Sequence, residues 1–182
     1  MVINFVFGEF MKKIMVGAIG VLFLGALTLW FMGKETRTIT TQIEISAAPE
    51  KVWDVLTNIA AWKEWSPIIK DSSGSAKSGS KLTITMVSDE GKDGKPGPKY
   101  EPTVTTFDEA KNMTWTATMG PGFVMTNGKV FELQATETGT LLIHKETFSG
   151  MMVPMMWSKV QQNVPKMLDS MNEALKKLVE ES

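Results

Sequence analysis

The sequence contains no cysteine, one histidine and one arginine among its 182 residues. Without cysteine, the chain cannot form disulfides, thiolate nucleophiles or cysteine-ligated metal sites. His144 is the only imidazole, so a metal site built from several histidines is excluded and imidazole catalysis has a single candidate. We therefore predict no bound metal and no cofactor.

The charge is nearly balanced, with 19 basic and 20 acidic residues and a formal net charge of −1. Nucleic-acid-binding proteins usually present a clustered basic face, and the sequence contains no such cluster. We therefore expect no nucleic-acid partner. The length suits one ordinary domain with an appendage, and 43% hydrophobic residues are enough for a core.

The N-terminal region holds a long uncharged run. Residues 14–32 contain no charge, and Thr28 is their only polar side chain. As a helix this run would be about 28 Å long, close to the roughly 30 Å hydrocarbon core of a bilayer. Lys12 and Lys13 precede it, so the positive-inside rule favours a cytoplasmic stub at 1–13. We expect a single-pass protein, typical of a bacterial inner membrane, with its C-terminal domain outside the cytoplasm.

Two alternatives to this signal anchor are a cleaved signal peptide and a buried core helix. The run is long for a signal peptide, and Leu29 to Met32 offer no small-residue cleavage site. A core helix would show a polar stripe, whereas this segment is apolar on all sides. The transmembrane helix is therefore the favoured interpretation.

A linker is predicted at 33–38 and a folded domain at 39–182. Alternating apolar residues predict strands, and a proline at Pro49 begins a helical pattern that must end before Pro67. The predicted strands cover 39–46, 68–71, 81–88, 99–107, 113–119, 129–135 and 140–148, with loops over 72–80 and 89–98.

The C-terminal region has a different period. Apolar residues from Val153 to Leu178 recur every three or four positions, which predicts one long amphipathic helix. Pro165 lies inside it and is expected to kink it, because proline cannot donate to the carbonyl of Gln161. The element order predicts the α+β class, with a curved antiparallel sheet wrapped around this helix and one transmembrane helix in front.

The folded part resembles the SRPBCC or START-like superfamily, which includes polyketide cyclase/dehydrase-like and birch-pollen-allergen-like proteins. The resemblance covers about residues 38–180 and rests on IEISAAPEKVWDVL at 43–56, WKEWSP at 62–67, the Gly139-Thr140 turn and the closing helix. It implies a helix-grip fold with a hydrophobic cavity between the sheet and the C-terminal helix. Members bind lipids, polyketides or other apolar molecules, and some catalyse cyclisation or hydrolysis.

The same periodicities predict which residues line the cavity. For each single residue, the alternative is an ordinary place in the core, and Trp62 suits a structural anchor as well as a cavity gate. The predicted ligand-binding residues are Trp62, Ile84, Met86, Met113, Trp115, Phe131, Leu133, Leu142, His144, Met152, Met156, Val160, Val164, Leu168 and Met171.

His144 and Glu146 lie two residues apart on one predicted strand, so they share a face. If that face points inward, Glu146 can orient the imidazole as a general base requires, which makes the two residues candidate catalytic groups. The favoured alternative is a histidine held by structural hydrogen bonds.

Three functions remain open. The favoured one is membrane-anchored binding of a hydrophobic, lipid-like or aromatic small molecule, because the interior is apolar and catalytic groups are few. The others are a cyclase- or hydrolase-like enzyme using His144 and Glu146, and a membrane-tethered protein-interaction module. The methionine cluster at 151–156 suits a pliable cavity entrance. A Cu(I) site there is disfavoured because no histidine or cysteine lies beside it in the sequence.

Overall fold

The computed structural model describes residues 2–88 and 96–182, with side chains described from residue 11 onward except at residue 32. An apolar N-terminal helix precedes a domain of short helices, antiparallel strands and one long closing helix. The elements are α1 (Val2–Met32), β1 (Arg37–Ile45), α2 (Pro49–Thr57), a 3₁₀ turn (Ile59–Ala61), α3 (Trp62–Trp65), β2 (Ile69–Gly74), β3 (Leu82–Val87), β4 (Pro96–Tyr100), β5 (Thr103–Asp108), β6 (Asn112–Met119), β7 (Met125–Thr136), β8 (Gly139–Ser149) and α4 (Val153–Glu181).

All the strand pairs are antiparallel and form two curved sheets that share a junction. The larger sheet has the order β1-β8-β7-β6-β5, and the smaller has the order β2-β3-β4. Lys81 pairs with Thr103 between the two sheets, and the Val104 amide donates to the Ser80 carbonyl at 2.9 Å. The predicted α+β class, with curved antiparallel strands against a long C-terminal helix, is confirmed.

The region around residue 100 differs from the sequence prediction. The predicted strand 99–107 is divided into β4 and β5, because Pro102 has no N–H for the ladder and its carbonyl instead accepts from Leu82 at 2.8 Å. β4 begins at Pro96, inside the predicted loop 89–98, and residues 89–95 of that loop lie outside the described residues. β4 lies at the edge of the smaller sheet, where prolines are tolerated.

The boundaries of other elements also differ from the predictions. β1 begins two residues before the predicted strand, at Arg37, and β2 continues to Gly74, into the predicted loop 72–80. The long C-terminal helix runs through Pro165 without interruption from Val153 to Glu181. The Gln161 carbonyl receives no helical hydrogen bond from residue 165, because proline has no N–H.

The short helices are held on β2 by buried hydrogen bonds. The indole N–H of Trp62 donates to the Leu56 carbonyl at 2.9 Å, which ties α3 back to α2. The Ser72 hydroxyl donates to the Ile59 carbonyl at 2.6 Å. Trp62 is fully buried, and its ring meets Phe131 edge-on. The indole hydrogen bond and the ring contact both hold Trp62 in place.

The buried side chains form two separate clusters. The main core lies between the sheet, the short helices and the C-terminal half of α4, with Leu56, Phe131 and Leu175 among its members. The second cluster lies at the start of α4 and contains Met125, Phe148, Val153 and Val160. α4 thus contacts packed side chains near both of its ends.

The N-terminal helix is long and apolar enough between Met11 and Phe31 to cross a membrane, and that stretch is not buried against the rest of the protein. Its end is attached to the domain. The Gly150 amide donates to the Gly33 carbonyl at 2.7 Å, and a Cβ on Gly33 would collide with the Gly150 backbone. The first residue of the predicted linker therefore packs on the domain.

Gly150→Ala tests how closely Gly150 packs on the chain at Val124 and Met125, with Gly79→Ala as the matched control. Both glycines have positive φ, +117° for Gly150 and +81° for Gly79. Only at Gly150 would a Cβ meet other atoms, the backbone of Val124 and Met125, whereas Gly79 faces open space. Chemical denaturation should show a loss of about 1 kcal/mol for Gly79→Ala and about 3 kcal/mol for Gly150→Ala. Equal losses would show that the packing at Gly150 is loose.

Candidate functional site

A cavity of about 260 Å³ lies between the sheets and α4. Residues of both buried clusters line its wall, so the cavity lies between the two clusters. Three strands of the large sheet, the small sheet, Trp62 and five α4 residues surround it. The lining residues are Trp62, Ile69, Ile84, Met86, Tyr100, Trp115, Ala117, Met119, Met125, Asn127, Lys129, Glu146, Phe148, Met156, Val160, Val164, Met167 and Met171.

The lining follows from simple periodicities. On each strand every second residue faces the cavity, and on α4 the lining positions recur at intervals of three or four. The α4 series runs from Met156 to Met171 and passes on both sides of Pro165. The helix is thus missing one backbone hydrogen bond in the middle of the cavity wall.

Eight of the fifteen predicted ligand-binding residues border this cavity. They are Trp62, Ile84, Met86, Trp115, Met156, Val160, Val164 and Met171.

The other seven lie outside the cavity wall. Five of them are strand positions on β6, β7 and β8, where α2 contacts β7 and β8, and α4 contacts β8. Met113, Phe131, Leu133, Leu142, His144 and Leu168 are buried in packed regions, and Met152 is exposed.

The polar residues of the wall were missed as ligand contacts by the sequence analysis. Asn127 and Lys129 alternate with Phe131 along β7, so they share its inward face. Extending the β7 pattern toward its start would have found them, but a lysine is normally read as outward-facing. The other contacts outside the predicted ligand-binding set are Ile69, Tyr100, Ala117, Met119, Met125, Phe148, Met167 and Glu146, the last of which was predicted only as a candidate catalytic residue.

A charged pair forms the polar part of the wall. The Lys129 ammonium lies 3.2 Å from one carboxylate oxygen of Glu146, and the side chains are only 9% and 15% exposed. The Asn127 amide donates to the other Glu146 oxygen at 3.0 Å. The Lys129 ammonium also lies 5.7 Å from the Trp115 ring centre. Each Glu146 oxygen therefore has one partner, and the pair is held in place from three sides.

Trp115 adds an unused hydrogen-bond donor to this wall. Its indole Nε1 is buried and has no acceptor within the described part of the chain. A buried donor without a partner costs about 1–3 kcal/mol. The indole N–H is itself inaccessible, whereas the Lys129 side chain lines the cavity and can donate to a polar group there.

His144 has a different environment on the same strand. It is fully buried, and its ring stacks on Phe131 with centres 4.3 Å apart. Its Nδ1 lies 2.8 Å from the side-chain oxygen Oδ1 of Asn172. The Asn172 amide nitrogen donates to the Thr41 hydroxyl at 2.9 Å, so Nδ1–H of a neutral imidazole donates to Asn172. Burial and the nearby Lys129 charge hold the pKa of His144 well below its ordinary value, against the Asn172 hydrogen bond.

His144 and Glu146 therefore share a strand face but not a hydrogen-bond network. His144 bonds to Asn172, whereas Glu146 bonds to Lys129 and Asn127. A general base must come within hydrogen-bond reach of its substrate, and His144 does not line the cavity. The geometry gives His144 a hydrogen bond to Asn172 within the core, and of the two residues only Glu146 lines the cavity.

Lys129→Met tests the buried pair, because it leaves the Glu146 carboxylate in an apolar wall with Asn127 as its remaining partner. We expect the free energy of unfolding to fall by roughly 3 kcal/mol, and the double change to Met at 129 and 146 to recover most of it. Chemical denaturation in mild detergent measures both.

Lys145→Met is the matched control on the same hairpin. Its partner Glu132 lies 3.0 Å away, with side chains 35% and 30% exposed. Breaking such a partly exposed pair should cost less than about 1 kcal/mol. Equal losses for the two lysine variants would contradict a desolvated pair at Lys129.

The pKa of His144 predicts an acid-sensitive fold. The unfolded chain protonates His144 near its ordinary value of 6.5, whereas the folded chain resists protonation. The unfolded state thus binds the proton first, and stability present above pH 6.5 is lost as the pH falls. The loss should approach about 1.4 kcal/mol per pH unit.

Denaturation between pH 7.5 and 5.5 measures this slope, since His144 is the only side chain whose ordinary pKa lies in that range. His144→Gln should be less stable at neutral pH but should lack the slope. The same slope in the variant would assign the acid sensitivity to other groups.

Comparison with known proteins places the chain in a large structural group. No curated protein sequence matches it. Among solved structures, protein MLL2253 from Mesorhizobium loti superposes with a TM-score of 0.58 at 22% identity, covering 80% of this chain and 98% of that one.

Two further structures extend this likeness. Ara h 8.0201 gives a TM-score of 0.64 at 17% identity, covering 81% of this chain and all of its own. A point mutant of Thalictrum flavum norcoclaurine synthase, in complex with a transition-state analogue, gives 0.61 at 16% identity, with coverages of 81% and 96%. At these identities the likeness concerns the fold alone. A family model described as polyketide cyclase / dehydrase and lipid transport matches residues 36–180, and the chain belongs to this family.

Proposed function

We propose that this protein binds a hydrophobic small molecule, lipid-like or aromatic, in the cavity beneath α4 while anchored to a membrane by α1. The observation that carries the proposal is the cavity of about 260 Å³, whose wall is apolar except for the polar group around Lys129 and Glu146. Ligand pockets commonly combine an apolar lining with a few placed polar groups.

The size of the cavity limits the ligand. It exceeds the ~150 Å³ of an apolar cavity that holds benzene, and it lies just below the ~300 Å³ at which ordinary ligand pockets begin. Six of the fourteen methionines line it. Methionine side chains change shape readily, so the wall can adapt to a somewhat larger molecule.

The polar group argues for an amphiphile. The Lys129 ammonium is a donor and the Glu146 carboxylate an acceptor, and the two lie side by side in a wall that is mostly apolar. A ligand with an apolar body and a carboxylate, hydroxyl or carbonyl at one end would satisfy both parts.

α1 supplies the membrane anchor in this proposal. Lys12 and Lys13 lie before the apolar stretch, and the positive-inside rule then puts the ligand-binding domain outside the cytoplasm. At the other end, the Lys34 ammonium lies 3.9 Å from the centre of the Trp30 ring. An aromatic ring beside a lysine is typical of a helix end at the membrane–water interface.

Ala117→Phe tests the binding function by filling the cavity. Ala117 borders the cavity, and the next residue, Thr118, is exposed on the opposite face of β6. Ala117→Phe should weaken binding of the fluorescent fatty acid cis-parinaric acid at least about tenfold, a change of about 1.4 kcal/mol. Thr118→Phe, which adds the same ring outside the cavity, should leave binding unchanged.

Fluorescence titration of the full-length protein in mild detergent measures the affinity, and native mass spectrometry shows whether a molecule is carried after purification. Melting curves check that both variants fold. Equal affinity of the two folded variants would place the probe elsewhere on the protein. If the unsubstituted protein neither binds this probe nor carries a molecule after purification, the proposal is wrong.

A further inference from the structure

An exposed apolar surface surrounds one end of the cavity. It is formed by the β6–β7 turn and the start of α4, and we call it the apolar lip. Its members, with their exposed fractions, are Met119 (53%), Phe123 (58%), Met152 (36%), Met155 (64%) and Met156 (38%). No charged residue occurs in 119–125 or 150–157, the two segments that supply it.

Backbone hydrogen bonds hold the two segments together. The Met151 amide donates to the Phe123 carbonyl at 3.0 Å, and the Met152 amide donates to the Val124 carbonyl at 3.1 Å. The lip is therefore one continuous surface, although its parts lie about 30 residues apart in the chain.

The lip adjoins the end of α1. The Gly150 amide, directly before the α4 segment of the lip, donates to the Gly33 carbonyl at 2.7 Å. Gly33 follows the last residue of α1 and lies between Trp30 and Lys34, the aromatic–lysine contact at the helix end. If α1 crosses the bilayer, this contact marks the membrane–water interface, and the lip lies at the same level.

The lip also opens into the cavity. Met119 and Met156 line the cavity and are partly exposed, so the cavity reaches the molecular surface between them. Met125, at the base of the same turn, lines it too. The exit from the cavity thus passes through the surface that lies beside the membrane helix.

We propose that the apolar lip inserts into the bilayer interface and that the cavity exchanges its ligand directly with the membrane. This inference rests on the proposed membrane-anchored binding function. Large exposed side chains without charges gain free energy when they enter the acyl-chain boundary, and the attachment at Gly33 keeps them there. A lipid-like ligand would then move between bilayer and cavity without crossing water.

Other occupants of the lip are less consistent with these contacts. A second copy or another protein would have to cover the lip within the level of the lipid headgroups, where the bilayer is already present. The two segments that supply the lip contain no charged side chain that could pair with a protein partner. Continuity with α1 therefore favours the bilayer.

Site-specific labelling tests the position of the lip, and the absence of native cysteine makes single-cysteine variants possible in the full-length chain. Phe123→Cys and Met155→Cys carry a fluorophore on the lip. Leu22→Cys reports on α1. Glu137→Cys is the matched exposed control, because the length of β7, 12 residues, places it roughly 35 Å from the lip.

The labelled proteins are reconstituted in phosphatidylcholine–phosphatidylglycerol vesicles that contain lipids with a nitroxide on the acyl chain. We expect quenching at Leu22, Phe123 and Met155 and none at Glu137. Quenching at Leu22 alone would overturn the lip proposal and leave the anchor intact. Lip labels that are shielded from water but not quenched would show a protein cover and would also overturn it. No quenching at Leu22 would instead contradict the anchor itself.

Ligand loading tests the exchange route separately. In Phe123→Asp/Met155→Asp, entry of cis-parinaric acid from vesicles should slow about tenfold, because two charges must enter the interface. The affinity in detergent should stay within about twofold, since neither residue lines the cavity. Unchanged loading would overturn the exchange route, and loss of affinity in detergent would show that the substitutions damage the cavity instead.

Discussion

The shape of the interior depends on the packing of one helix, α4, against two separate groups of buried side chains. The C-terminal part of α4 inserts Leu168, Met171 and Leu175 against the sheet, and its first turns bury Val153 and Val160. Between these contacts the helix continues without a break, and its residues from Met156 to Met171 line the cavity. Side chains of ordinary size do not fill the gap, and the cavity is the result. The ion pair and the apolar lip both have their positions because of this gap.

Strand β8 passes from packed core to cavity within a few residues. Thr140, Leu142 and His144 face a region closed by α2 and the end of α4, where the imidazole remains neutral and bonded to Asn172. Glu146, two residues further on the same face, lines the cavity and contacts Lys129 and Asn127 of β7. Position along the strand, relative to the covering helices, decides whether a polar side chain is structural or available to a ligand.

Periodicity predicted the fold because each element carries its own pattern: alternation at Met113 to Met119, three-and-four spacing from Val153 onward, and a proline at Pro49. It could not predict which inward residues meet empty space, because that depends on how far each covering helix reaches. Leu133 and Met125 look equivalent on β7, yet only Met125 borders the cavity. Ion pairs between strands could not be predicted either, because the inward position of Lys129 depends on Glu146, which lies on another strand.

The bond between Gly150 and Gly33 removes the freedom that a flexible tether would give. A domain on a long linker can turn its binding site in any direction and meets the membrane only in a fraction of its orientations. Here the entropy of orientation is lost once, during folding, and not at every encounter. In the proposed membrane-anchored state, this bond confines the domain to one pose relative to α1, and the search for a ligand becomes diffusion within the plane of the membrane.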